Sequence, residues 1–156
     1  MWNSYAWLIR RWNITVKSRI NYLLIGNSRW HFAINKNNYW EYMHVLPNLE
    51  IIEKFNANNL KWACVGELPN HLSLIPNNRI NVQDIPLDKL PEWIGVDRAL
   101  GAWGALKNAE KIGPLSKGII VADAGTVLSM TCIDANGSFI GGQLMAGLNL
   151  NLSAMS

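Results

Sequence analysis

Tyr22-Leu-Leu-Ile-Gly26-Asn27-Ser28 leads into Arg29-Trp-His-Phe-Ala-Ile34 and then the turn Asn35-Lys36-Asn37-Asn38. About a hundred residues later the same plan returns. Ile119-Ile-Val-Ala-Asp123-Ala124-Gly125-Thr126 leads into Val127-Leu-Ser-Met-Thr-Cys-Ile133 and the turn Asp134-Ala135-Asn136-Gly137. Placing Gly26 on Gly125 carries Asn37 onto Asn136 and Asn38 onto Gly137. Each copy reads as apolar strand, tight glycine-hydroxyl turn, strand, hairpin turn, strand. Internal repetition at this scale constrains a fold more than any single motif does. It predicts an α/β protein of two related halves, each offering a backbone turn to a shared cleft.

Around the repeats the chain fills in accordingly. The first copy gives strands over 20–25 and 29–34 and a third over Tyr39–Val45, broken by Leu46-Pro47-Asn48. Leu49 to Asn58 has helical spacing, and Lys61–Gly66 is a short strand ended by glycine. Leu72–Ile75 and Ile80–Val82 are weaker strands, and two prolines, Pro86 and Pro91, frame a loop. Asp97 to Lys111 is the best helix, with Asp97 placed as an N-cap and Leu100, Trp103 and Leu106 as its apolar stripe. Gly113-Pro114 ends it, and a last helix begins at Leu148. The expected organisation is therefore an N-terminal extension over 1–19, a first half over 20–112, and the start of an incomplete second half over 113–156.

Composition narrows the function. The net charge is +3, with Arg10, Arg11, Lys17 and Arg19 unaccompanied by acids in the first twenty residues. No basic stripe runs through the rest, so no nucleic-acid partner is expected. No run approaches the eighteen or so apolar residues of a membrane span, so no membrane partner is expected either. Cys64 and Cys132 lie in apolar strands and read as reduced thiols of a cytoplasmic protein. His31, His44 and His71 lack metal-ligand spacing and read as structural or surface residues.

Each motif has a plain reading beside a chemical one. Gly26-Asn27-Ser28 and Gly125-Thr126 are ordinary hairpin turns taken singly. As a matched pair they suit phosphate, because glycine lets the backbone approach closely while amides and a hydroxyl cradle it. Gly95-Val96-Asp97-Arg98 is either a capped helix start or a carboxylate that accepts a hydroxyl proton, with an arginine for an anion. Asp123, at the end of an apolar strand, either closes a local turn or offers oxygen to a cation. Gly141-Gly142 and Gly147 are turn glycines or let a helix N-terminus face a nucleotide.

Taken together, Gly26-Asn27-Ser28, Gly95-Val96-Asp97-Arg98, Asp123-Ala124-Gly125-Thr126 and Gly141-Gly-Gln-Leu-Met-Ala-Gly147 resemble type III pantothenate kinase in order and spacing, over about residues 20–156. The resemblance implies the duplicated actin-like ATPase (ribonuclease H-like) fold and ATP-dependent phosphorylation of pantothenate, the first step of coenzyme A synthesis. It implies an ATP-phosphate loop formed by Leu24, Ile25, Gly26, Asn27, Ser28, Arg29, Trp30 and His31, with Thr126 also contacting ATP. Gly95, Val96, Asp97 and Arg98 would bind pantothenate, with Asp97 the proton acceptor. Asp123 would hold a potassium or ammonium ion, and Mg2+ would accompany ATP. A cytoplasmic homodimer is implied as well. Leu24 stands where the family usually has Asp, Ala146-Gly147 stands for Pro-Gly, and the family continues for many tens of residues further. Leu24 and the early end favour the alternative of a non-catalytic regulatory or nucleotide-binding relative. A sugar or acetate kinase fits less well, given the small first half and the Gly95–Arg98 segment.

Overall fold

The computed structural model describes residues 19–155, so the expected extension lies outside the described residues except for Arg19. Strand β1 (Asn21–Ile25) pairs on one side with antiparallel β2 (Trp30–Asn35) and on the other with parallel β4 (Leu60–Cys64). β3 (Trp40–Val45) lies beyond β2, giving the order β3-β2-β1-β4. As a central strand, β1 is buried on both faces, which explains its unbroken Leu-Leu-Ile run. Leu23, Ile25, Trp30, Phe32, Leu60, Trp62 and Cys64 pack on one face with Ile52 of the short helix α1 (Leu49–Glu53). Leu24 and Ala63 point to the other face and meet helix α2 (Val96–Ile112).

The second sheet is antiparallel, in the order β5 (Ile119–Ala124), β6 (Val127–Ile133), β7 (Phe139–Ala146). Helix α3 (Leu148–Ala154) follows it. α2 packs against both sheets, which is why its buried residues spread beyond a single stripe to Val96, Ala99, Leu100, Ala102, Trp103, Gly104 and Leu106. Ile133 joins that core, with Ile119, Val121 and Phe139 against it. The loop between β4 and α2 ties the sheets as well. Ile80 N–H donates to Trp62 C=O, while Asp88 N–H donates to Gly137 C=O and Phe139 N–H to Asp88 C=O.

The repeat has a physical counterpart. The shift that carries Gly26 onto Gly125 carries the pair Trp30↔Val45 onto Ser129↔Leu144, and both pairs are observed. The outer hairpins thus share one register until the irregularity at Cys132/Ile133. The inner hairpins differ at the turn: Ile25 pairs with Trp30, but Ala124 pairs with Leu128, so the second turn is one residue tighter.

Other expectations need correction. The helix expected over 49–58 stops at Glu53, and a separate 3-10 turn covers Ala57–Asn59. Asn56 breaks the run by accepting the Asn58 N–H with its side chain, a local bond that competes with helix. Residues 72–75 and 80–82 form no strand, since Pro76 and Asn81 open 3-10 turns there. Gly95, not Asp97, is the N-cap of α2, and Asp97 sits within its first turn.

Candidate active site

β1 and β4 run parallel and leave their sheet at the same end. β1 passes into the turn Gly26–Arg29, closed by Gly26 N–H to Arg29 C=O at 3.1 Å. A Cβ on Gly26 would lie 2.8 Å from that carbonyl, so glycine is what lets this turn close. β4 passes into Val65-Gly66, held to β1 by Val65 N–H to Ile25 C=O at 2.8 Å. Gly66 has φ +77° and lies beside Asn27: a Cβ there would be 3.6 Å from Asn27 Oδ1. Gly66 also borders a cleft of about 240 Å³ shared with Cys64, Arg79, Asn81, Gly95 and Val96. A crevice outside the carboxyl ends of parallel strands, next to a helix N-terminus, is where open α/β sheets bind ligands.

The segment 95–98 enters α2 at this cleft. Asp97 is half-buried, and its Oδ1 accepts the Arg98 N–H at 2.8 Å. A Cβ on Gly95 would strike Asp97 Oδ1, so the cap glycine leaves space for the carboxylate. Arg98 reaches away to the second sheet. Its Nε and Nη2 donate to Thr131 Oγ1 at 3.3 and 3.2 Å, and Nη2 also donates to Met130 C=O at 3.0 Å. Its Cζ lies 5.9 Å from the centre of the Trp93 ring.

Asp123 belongs to the same face of the second sheet. Val121 pairs with Thr131 and Asp123 with Ser129, and side chains alternate along a strand. Val121, Ser129, Thr131 and Ile133 therefore look toward α2, and Asp123 extends that row at its exposed end. Among the described residues no three His, Cys, Asp or Glu side chains gather into a metal-holding group. A cation at Asp123 would therefore take most of its oxygens from carbonyls, water or phosphate.

The second turn is closed by Gly125 N–H to Val127 C=O at 3.1 Å, and Thr126 C=O accepts the Gly147 N–H at 2.9 Å. A Cβ on Gly147 would strike both Gly125 and Thr126 carbonyls, so glycine there lets the start of α3 lie against the turn.

The first turn divides by burial. Leu24, Ile25 and Trp30 are core residues beneath it, while Asn27, Ser28 and Arg29 are exposed upon it. Leu24, where the resemblance leads one to look for an acid, is packed in the same apolar cluster as Ala63 and Leu100. His31 is half-buried under the turn, its Nε2 3.8 Å from where a Gly26 Cβ would stand. Its Nδ1 lies 2.7 Å from Nδ1 of His44 across the hairpin.

Burial, and then the nearby His44 and Arg29, hold His31 below the usual imidazole range. The folded state therefore takes up this proton less readily than the unfolded chain. The stability contribution is complete above the unfolded value of about 6.5 and falls as pH drops through it. Between about pH 7.5 and about pH 5.5, the thermal midpoint of His31→Gln is expected to fall less than that of wild type. Equal falls would assign the acid sensitivity elsewhere. Burial likewise pushes the Cys64 thiol up, partly offset by Arg79, so the cleft cysteine is held as a thiol.

Sequence reading located both turns, the 95–98 segment and Asp123. It missed Thr131, Trp93, Gly66, Arg79 and the His31–His44 contact. Gly66 alone carried a visible signal, a glycine closing an apolar strand. Thr131 lies thirty-three positions from Arg98 and only the folded sheet brings them together.

The family model of type III pantothenate kinase matches residues 57–156. The type III pantothenate kinase of Thermosynechococcus vestitus is 32% identical over 141 residues, covering 86% of this chain and 52% of that protein. The one from a Nostoc strain is 34% identical over 167 residues, covering 85% and 57%. The one from Synechococcus elongatus is 26% identical over 153 residues, covering 86% and 59%. The chain spans about half the length of the curated relatives it matches. With the matched region taking in the cleft loop, the 95–98 segment and the whole second sheet, the chain belongs to the type III pantothenate kinase family.

Proposed function

We propose that this chain serves ATP-dependent phosphorylation of pantothenate to 4'-phosphopantothenate, the opening step of coenzyme A synthesis. The observation that carries this reading is the start of α2, where Gly95 and Val96 line a cleft beside the first turn and Asp97 and Arg98 follow directly, with Arg98 reaching the sheet that holds Asp123. Family membership supports it.

Phosphoryl transfer asks a protein mainly for positioning and charge neutralisation. In this reading the Gly26–Ser28 turn and Thr126 cradle the ATP phosphates. The Gly26 and Gly125 amides are spent on closing their turns, which leaves the Asn27, Ser28 and Thr126 amides as donors. Arg98 holds the pantothenate carboxylate. Asp97 takes the proton of the attacking hydroxyl through its second oxygen, Oδ1 being engaged by the Arg98 amide. Asp123 supplies one oxygen to a potassium or ammonium ion, and Mg2+ offsets charge on the nucleotide when bound. The shared register of the two outer hairpins supports a duplicated actin-like fold, divided at about residue 112, with the second half represented here by its first sheet. A cytoplasmic homodimer follows from the family resemblance. No helix among the described residues is long and apolar enough to cross a membrane.

The test is transfer of phosphate from ATP to pantothenate by the 156-residue chain, with magnesium, in potassium against sodium. Potassium-dependent 4'-phosphopantothenate supports the reading. A folded chain that binds ATP and forms no product in either salt overturns it and leaves the nucleotide-binding alternative.

A further inference from the structure

We propose that Thr131 is a positioning residue for Arg98, fixing the guanidinium so that its Nη1 edge alone meets the anionic end of the substrate. This rests on the reading of Arg98 as the anion-binding group. A guanidinium has five N–H donors in a rigid fork. Here Nε and Nη2 are taken by two neutral acceptors, Thr131 Oγ1 and Met130 C=O. Nη1 enters no hydrogen bond among the described residues, and no described carboxylate pairs with Arg98. Neutral acceptors orient the fork without neutralising it, so the full charge is kept for an anion.

Three features make the hold specific. Thr131 is 2% exposed, so its hydroxyl is shielded from water and has the guanidinium as its neighbour. Arg98 Cζ lies over the Trp93 ring, 5.9 Å from its centre, within cation–π range. Gly142, paired with Thr131, offers bare backbone, and a Cβ there would come within 2.8 Å of Nη2. The second sheet thus shapes the substrate end of a site whose carboxylate comes from α2.

Thr131→Val keeps the branched shape and removes the acceptor. Two readouts are needed, both on the full chain. First, hydrogen exchange of the Arg98 Nε–H, followed by NMR, should quicken at least about tenfold in Thr131→Val and stay slow in Thr131→Ser. Second, pantothenate binding should weaken at least about tenfold in Thr131→Val, with ATP binding unchanged and Thr131→Ser restoring affinity. If Thr131→Val does not fold, Thr131→Ala takes its place with the same expectations. Unchanged exchange, or unchanged pantothenate affinity, overturns the proposal. Wild-type protein that binds ATP but no pantothenate refutes the functional reading, and the exchange result then decides the tether by itself.

Discussion

Asp97→Asn is expected to lower the turnover of pantothenate phosphorylation at least about a hundredfold, equivalent to about 2.7 kcal/mol of barrier, while the protein stays folded. The substitution is nearly isosteric. Asp97 Oδ1 accepts the Arg98 amide, and an asparagine Oδ1 accepts the same bond, so the first turn of α2 is retained. What changes is the second position, where an oxygen able to take a proton becomes an NH2 that cannot. The loss should therefore fall on kcat, with KM for pantothenate little altered, because Arg98 and the cleft wall are untouched. Steady-state kinetics beside a near-ultraviolet CD spectrum make the check. Wild-type turnover in a folded Asp97→Asn protein would remove Asp97 from proton transfer.

The parts of this fold that were legible in the sequence are those with short-range causes. The β1 run, the Gly26 and Gly125 turns and the start of α3 each follow from local composition, and all appear where expected. The repeat, legible as matched turns, reappears in the structure as a shared register of the outer hairpins up to Cys132/Ile133. The N-cap of α2 was misplaced for a local reason too. Asp is the stronger capping residue by preference, yet Gly95 takes the position and Asp97 turns its carboxylate onto the next amide. Capping preference gives way here to a carboxylate that lies in the first turn of the helix, next to the cap glycine. The loop from Gly66 to Ile94 was read worst. Leu72–Ile75 and Ile80–Val82 looked like strands, but Ile80 and Val82, with Ile85 and Leu87 of the following loop, are anchors of an irregular segment stretched between two sheets. Long-range contacts of this kind, like Arg98 with Thr131, leave no periodic trace.

Trp103→Ala is expected to destabilise the protein by about 3–5 kcal/mol, whereas Trp103→Phe should stay within about 1.5 kcal/mol of wild type. Trp103 is 2% exposed in α2, in the core that joins Leu24 and Ala63 of the first sheet to Ile133 of the second. Alanine leaves a cavity where the two sheets share one helix, so both should lose support in a single cooperative transition. Phenylalanine is governed by two opposed effects. It gives up some packing volume, but it also removes an indole N–H that is buried without a hydrogen-bond partner among the described residues. Such an orphan donor costs about 1–3 kcal/mol in the folded state, comparable to the packing lost. Urea unfolding followed by far-ultraviolet CD separates the variants. Equal losses in Trp103→Ala and Trp103→Phe would mean that the indole is hydrogen-bonded in solution. A small loss in Trp103→Ala would mean that α2 is not the element joining the two sheets.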